Sequence, residues 1–240
     1  MRAILMAAGI GSRISGSTKK PKSLLEIGGK TVLRHTVEML QKNGVEIAIV
    51  VGYKRHDIYQ ELEGLNIKFY YNPFYKVTNS MASLWFARDF LRCDEDVILA
   101  NADVFWEQKI YDRLMESDYK AVMLADKTRV QEGDFFFEVK DEMLINYGKD
   151  LNESHRTSEY VGIAKLRADF LPLFINRLKY MVDSEVYNLW WENVLYQYCK
   201  ETPIKVLDTE GMFWSEIDVI EDYQRILNYI NNKQKGGNMD

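Results

Sequence analysis

The chain has 240 residues, 47% hydrophobic and 28% charged, which suits one α/β domain with elaborations and excludes a disordered or low-complexity protein. A net charge of −5 argues against non-specific nucleic-acid binding, and two lone cysteines, Cys93 and Cys199, exclude a disulfide framework or a zinc site. No stretch approaches the roughly 20 apolar residues of a membrane span, and the apolar run 4–8 is too short for a signal peptide, so small-molecule partners and a cytoplasmic location are expected, with a homodimer left open.

Residues 3–7 read as a buried strand that breaks abruptly into glycine and small residues. Residues 1–22 hold Arg2, Arg13, Lys19, Lys20 and Lys22 with no Asp or Glu, so an acidic protein begins with a basic segment. A strand that empties into a glycine turn with clustered cations suits an anionic polyphosphate. Leu33, Val37 and Leu40 mark a helix over 31–43, stopped by Asn43-Gly44. Strands follow at 46–51, 67–71 and 97–100, with helices at 57–63 and 80–91 between them. This alternation implies right-handed crossovers and a mostly parallel sheet, whose ligands bind beyond the carboxyl ends of the strands. Those ends carry Gly9-Ile10-Gly11, Gly52-Tyr53, Asn72-Pro73 and Asn101-Ala102-Asp103, a nucleotide-sized cleft along one edge.

The second half reads as strands at 120–125, 134–139, 143–147 and 160–166, with a tight turn at Lys140-Asp141. Helices are expected at 168–181 and 187–200, short strands at 203–207 and 213–217, and a closing helix at 219–232. Residues 1–125 are expected to form a nucleotide-binding core, 126–232 an acceptor-binding lobe with the closing helix, and 233–240 a frayed tail of the same single domain.

Two common phosphate motifs fail at the first loop. G-x-G-x-x-G requires glycine where Ile14 stands, and the P-loop requires lysine where Ser17 stands. The longer string Ala7-Ala8-Gly9-x-Gly11-Ser12-Arg13, a basic loop and then Lys20-Pro21-Lys22-Ser23-Leu24 resembles the nucleotidylyltransferases, which join an NTP to a phosphorylated acceptor. Glycines at 9 and 11 let backbone approach a triphosphate, with Ala7, Ala8 and Ser12 on the same turn. Arg13 and Lys22 are the candidate catalytic cations, neutralising the phosphates and the departing pyrophosphate.

Asp103, just past a buried strand, suits a Mg²⁺ ligand or a helix cap. In Ser215-Glu216-Ile217-Asp218, strand alternation puts Glu216 and Asp218 on one face, though Asp218 also suits a cap of the last helix. The resemblance implies that Asp103, Asp218 and Glu216 hold Mg²⁺ as the cofactor. It further implies a Rossmann-like α/β fold of the nucleotide-diphospho-sugar transferase type, with a mostly parallel mixed sheet, helices on both faces and a small α+β acceptor lobe.

Asn72-Pro73-Phe74-Tyr75, Thr78-Asn79-Ser80-Met81-Ala82-Ser83-Leu84, Trp190-Trp191-Glu192 and Glu216-Ile217-Asp218 are similar to the cytidylyltransferases that activate phosphocholine or 2-aminoethylphosphonate. By that likeness CTP is the nucleotide, and Asn79, Ser83, Gly52 and Tyr53 border its base and ribose. For the acceptor, Tyr147, Tyr160, Trp190, Trp191 and Trp214 offer aromatic faces to a cation, with Glu159 and Glu192 as counter-charges. Phosphocholine enzymes of the resembled type place a tryptophan near Gly133-Asp134-Phe135, where this chain has Asp134. An acid there suits a primary ammonium better than a quaternary one. Two other readings stay open: a sugar-1-phosphate nucleotidylyltransferase and a non-catalytic nucleotide-sensing module. His35, His56 and His155 form no nucleophilic constellation with Ser, Cys or acids.

Overall fold

The computed structural model describes residues 1–11, 20–186 and 188–236. Its first half alternates strand and helix: β1 (Arg2–Ala7), a small hairpin of β2 (Glu26–Ile27) and β3 (Lys30–Thr31), then α1 (Val32–Lys42). There follow β4 (Glu46–Val51), α2 (Arg55–Glu61), β5 (Ile67–Tyr71), α3 (Ser80–Phe86), β6 (Val97–Asn101), β7 (Val104–Phe105) and α4 (Gln108–Met115). The second half adds β8 (Ala121–Asp126), β9 (Phe136–Lys140), β10 (Met143–Gly148), β11 (Ser158–Leu166), α5 (Leu171–Asp183) and α6 (Asn193–Tyr196). It closes with β12 (Lys205–Asp208), β13 (Ser215–Glu216) and α7 (Ile220–Gly236).

Nine strands form one sheet in the order β5-β4-β1-β6-β11-β8-β12-β10-β9. The β5-β4-β1-β6 block is parallel, as its helical crossovers require. β11 enters antiparallel between β6 and β8, and β12 returns parallel to β8. The sheet is therefore mixed. Because side chains alternate along a strand, each strand feeds two cores. Ile4, Met6, Ala48, Val50, Val97 and Leu99 pack against α3, α5 and α6 on one face. Ala3, Leu5, Ile47, Ile49, Ile98 and Ala100 pack against α1, α2 and α4 on the other. A strand buried on both faces has no polar register, which is why β1, β4 and β6 read as continuous apolar runs.

Local chemistry explains most boundaries. Thr31 caps α1 by accepting a hydrogen bond from the Arg34 amide (3.1 Å), and the chain leaves that helix through Asn43 and Gly44. Asp141 and Glu142, both at positive φ, make the two-residue hairpin turn between β9 and β10, one residue later than the Lys140-Asp141 turn expected.

Two expectations from sequence need correction. The helix expected over 187–200 reduces to the single turn of α6. The preceding residues are held instead by long-range bonds: the Trp191 amide donates to Ser80 Oγ (2.9 Å), and the Met81 amide donates to the Leu189 carbonyl (3.1 Å). Those bonds pin the segment to the start of α3 and spend its backbone groups outside a helix. At the other end, α7 runs through residues expected to fray. Lys233 reaches Glu107 (2.5 Å), which also accepts from the Tyr229 hydroxyl (2.7 Å). Among the described residues no helix is long and apolar enough to cross a membrane.

Candidate active site

β1 delivers the chain to the cleft at Ala7, and the Ala8 carbonyl beyond it accepts from the Tyr53 amide at the end of β4 (3.1 Å). Gly11 has φ +67°, and a Cβ there would lie 2.9 Å from Lys22 Cγ, so a side chain at position 11 would displace the lysine. Pro21, at φ −54°, leads into the short turn Lys22–Leu24 and aims Lys22 along the glycine loop. The Lys22 ammonium pairs with Asp218 Oδ1 and lies 3.8 Å from Asp103 Oδ2.

The two acids meet because β7 and β13 pair antiparallel, with Glu216 opposite Val104, and the Ile217 amide donates to the Asp103 carbonyl (3.1 Å). Asp103 sits in the turn between β6 and β7, and Asp218 in the turn before α7. The helix-cap alternative for Asp103 does not describe this arrangement, since α4 begins at Gln108 with Glu107 in the cap position. Asp222 in the first turn of α7 accepts from the Asp218 and Val219 amides (2.9 and 3.0 Å), which leaves the Asp218 carboxylate to face the lysine.

Behind this triad lies a buried polar floor. Asn101, at the end of β6, accepts from Trp191 Nε1 (2.9 Å) and turns its amide nitrogen toward Glu192 Oε1 (3.3 Å) and Glu216 Oε1 (3.4 Å). Space for it comes from a β-bulge in β11, where the register against β8 shifts between Tyr160 and Ala164. Gly162 sits in the bulge at φ +88°, and a Cβ there would meet Val104 Cγ2 at 2.9 Å and Asn101 Nδ2 at 3.2 Å. Burial pushes Glu216 well above the usual carboxylate range, with Asp103, Asp218 and Glu192 adding like charge and Lys22 opposing. Burial also pushes Glu192 up to about 8, against its hydrogen bonds and with the charge of Asp103 adding.

One cavity of about 270 Å³ joins these groups. Of the residues singled out from sequence, Ala7, Ala8, Gly9, Gly11, Lys22, Asn79, Ser83, Asp103, Asp134, Tyr160, Trp190, Glu192, Glu216 and Asp218 line it. Asn79 both borders the cavity and caps α3 through the Ser80 amide (2.8 Å). Ser12 and Arg13 lie outside the described residues. Gly52 and Tyr53 stand behind the Ala8 turn rather than on the wall, and Tyr147 stacks on Tyr196 (4.6 Å between centroids), one ring behind it. Trp191 is fully buried and orients Asn101.

Trp214 is placed elsewhere: it precedes the two-residue β13, packs in the opposite core and donates its indole N–H to Asp126 (2.8 Å). Glu159 is not an open counter-charge either. It accepts from Arg129 Nε (2.6 Å) and from the Asp134 amide (3.1 Å), so it holds the wall that carries Asp134. The cavity adds residues that sequence reasoning did not assign, namely Tyr75, Asn101, Phe135, Lys149 and Tyr196. Asn101 alone had a signal, its place beside Asp103 at a strand end. Lys149, which reaches Asp134 Oδ2 (2.6 Å), follows a hairpin strand and had none.

Among the described residues no group of three His, Cys, Asp or Glu side chains stands ready to hold a metal. Asp103 and Asp218 nevertheless converge on one ammonium group. One or two carboxylates are what Mg²⁺ takes from a protein when phosphate and water supply the other ligands. The donor set fits Mg²⁺ bound together with a nucleotide.

The sequence is similar over 133 residues, at 35% identity, to CMP-5′-(3-aminopropyl)phosphonate synthase of Streptomyces rubellomurinus, covering 53% of this chain and 21% of that longer protein. It is 25% identical over 242 residues to choline-phosphate cytidylyltransferase of Streptococcus pneumoniae, covering 97% of this chain and all of that one. Among solved structures, a CTP:phosphocholine cytidylyltransferase from Streptococcus pneumoniae shares the fold with a TM-score of 0.77 at 20% identity, over 95% of this chain and 98% of that one. Residues 3–174 match the MobA-like NTP transferase domain. With the glycine turn, the lysine and the paired acids in one cleft, the chain is a nucleotidyltransferase and belongs to the MobA-like NTP transferase domain family.

Proposed function

We propose that the protein is a Mg²⁺-dependent cytidylyltransferase that moves CMP from CTP to a small phosphate or phosphonate bearing an amine, and releases pyrophosphate. The observation that carries this reading is the continuity of the cavity. Lys22, Asp103 and Asp218 line the same cavity as Phe135, Tyr160, Trp190 and Glu192, with Glu192 on the polar floor behind the lysine and its acids. The first set suits phosphates and the second a small cationic group. The choice of CTP and of an amine-bearing acceptor draws support from the cytidylyltransferase relatives.

In the reaction an oxygen of the acceptor's phosphate or phosphonate attacks the α-phosphorus of CTP. The bond from that phosphorus to the bridging oxygen breaks, and pyrophosphate leaves with the electron pair. A phosphate monoester has its second pKa at about 6, so at neutral pH it is already a dianion and needs no general base. Among the described residues no histidine lines the cavity. Lys22 covers phosphate charge, and the glycine turn lets backbone approach the chain of phosphates. Asp103 and Asp218 would hold Mg²⁺, which when bound neutralises the phosphate oxygens.

Pyrophosphate release with Mg²⁺, measured across the four NTPs against phosphoethanolamine, 2-aminoethylphosphonate, phosphocholine, glycerol phosphate and sugar 1-phosphates, tests the proposal. CTP with an amine-bearing acceptor is the expected productive pair. Turnover confined to sugar 1-phosphates would replace the acceptor class, and nucleotide binding without pyrophosphate release would replace catalysis by sensing.

A further inference from the structure

Two residues that line the cavity, Glu192 and Tyr160, each carry a buried polar atom, Oε2 and the phenol oxygen, with no hydrogen-bond partner among the described residues. Their side chains are only 5% and 7% exposed. Other groups leave them so. Asn101 is fixed by the Trp191 indole and serves the other oxygen of Glu192 (3.3 Å), and among the described residues no cation pairs with Glu192. A buried carboxyl oxygen and a buried hydroxyl left unmatched are costly, and on two residues that line one ligand cavity they call for a donor carried by the ligand.

We propose that Glu192 and Tyr160 read a primary ammonium at the far end of the acceptor. The enzyme then takes aminoalkyl phosphates or phosphonates and discriminates against their trimethylammonium counterparts. The inference rests on the transfer reaction proposed above and names its acceptor class. A primary ammonium brings three N–H donors, enough for Glu192 Oε2 and for the phenol oxygen, and its positive charge favours the ionised form of a carboxyl that burial otherwise keeps protonated. A trimethylammonium group has no donor and leaves both atoms unmatched. A sugar hydroxyl donates but offsets no charge. The aromatic walls, Phe135, Trp190 and Tyr196, attract any cation and do not make the distinction. Nor does Asp134, the acid that the sequence pattern singles out, because Lys149 already sits 2.6 Å from its carboxylate. The discriminating acid is the inner one.

Steady-state kinetics on the full chain with CTP and Mg²⁺ test this, using phosphoethanolamine against phosphocholine and 2-aminoethylphosphonate against its N,N,N-trimethyl derivative. For the wild type, kcat/KM favours the unmethylated acceptor by at least about 100-fold, as expected of a site built to hydrogen-bond an N–H group. Glu192→Gln keeps the shape but cannot ionise against the ammonium, and lowers kcat/KM for the unmethylated acceptors by about 30- to 100-fold, the loss expected for a charged hydrogen bond. The trimethylated acceptors stay within about 3-fold under the same range of effects, and the KM for CTP is unchanged. Tyr160→Phe moves the same ratio in the same direction and controls for a fault specific to position 192. Equal or better turnover of the trimethylated acceptors, or a ratio unmoved by both substitutions, overturns this inference while leaving cytidylyl transfer standing. Turnover with sugar 1-phosphates alone overturns both.

Discussion

Lys22 gathers the site at the scale of single residues. Its ammonium lies between two carboxylates 115 residues apart in the chain, and its stem runs along a glycine at positive φ where a side chain would displace it. If it stabilises charge that develops in transfer, Lys22→Ala lowers kcat by about 100- to 1,000-fold, the usual loss for one such group, and changes the KM for CTP much less. Steady-state kinetics check this, and an unchanged kcat contradicts the role. Asp218→Ala abolishes Mg²⁺-dependent turnover at any Mg²⁺ concentration; an active but thermolabile variant would mean that the residue only closes the turn before α7. These positions were legible from sequence because residue type and strand-end position agree: a glycine turn, a lysine after proline, acids after strands. The orphaned atoms of Glu192 and Tyr160 were not. What marks them is the absence of a partner, which depends on how Asn101 and Trp191 are placed.

Elements, in turn, hold those residues in register. The β7–β13 pair carries Asp103 and Asp218, and α7 lies against it through Ile226, which is fully buried with Phe105 and Ile217. Ile226→Ala is expected to cost about 2–5 kcal/mol of stability, the range for an emptied aliphatic site, measured by urea unfolding. A loss below about 0.5 kcal/mol, typical of surface changes, would show that α7 does not fasten this pair. His35 on α1 ties the same region, donating Nε2–H to the Trp106 carbonyl (2.9 Å). Burial holds its pKa below the ordinary 6.5, with the Trp106 hydrogen bond opposing. The folded state therefore binds fewer protons than the unfolded chain just below pH 6.5. Stability from this group is complete above 6.5 and is lost as pH falls through the folded value. His35→Gln, which can keep the bond to Trp106, flattens that part of the pH–stability profile, and a profile unchanged between the two proteins refutes the assignment. Strands were read correctly where both faces are buried, since a continuous apolar run has few other solutions. The 188–192 segment was misread as helix, because its backbone partners, Ser80 and Met81, lie far away in sequence.

Over the whole molecule, one mixed sheet spans both halves of the chain, and the cavity lies where the parallel strands end and the later segments fold over them. Alternating strands and helices made the first half legible. The second half was harder because β11 inserts antiparallel between β6 and β8, a placement that local pattern does not encode. Trp214 shows the consequence: its aromatic ring suited an acceptor cage, yet the sheet order carries it to Asp126 in the opposite core. In the proposed reaction this cavity joins a nucleotide to a phosphorus acceptor by in-line transfer at the α-phosphorus. Phosphorus NMR of the protein with CTP, Mg²⁺ and 2-aminoethylphosphonate tests it most directly. One new phosphorus–oxygen–phosphorus conjugate of CMP is expected, formed one-to-one with pyrophosphate, and no conjugate with Lys22→Ala on the same timescale. Release of inorganic phosphate from CTP without a conjugate, or an equally fast reaction in the Lys22 variant, would contradict it.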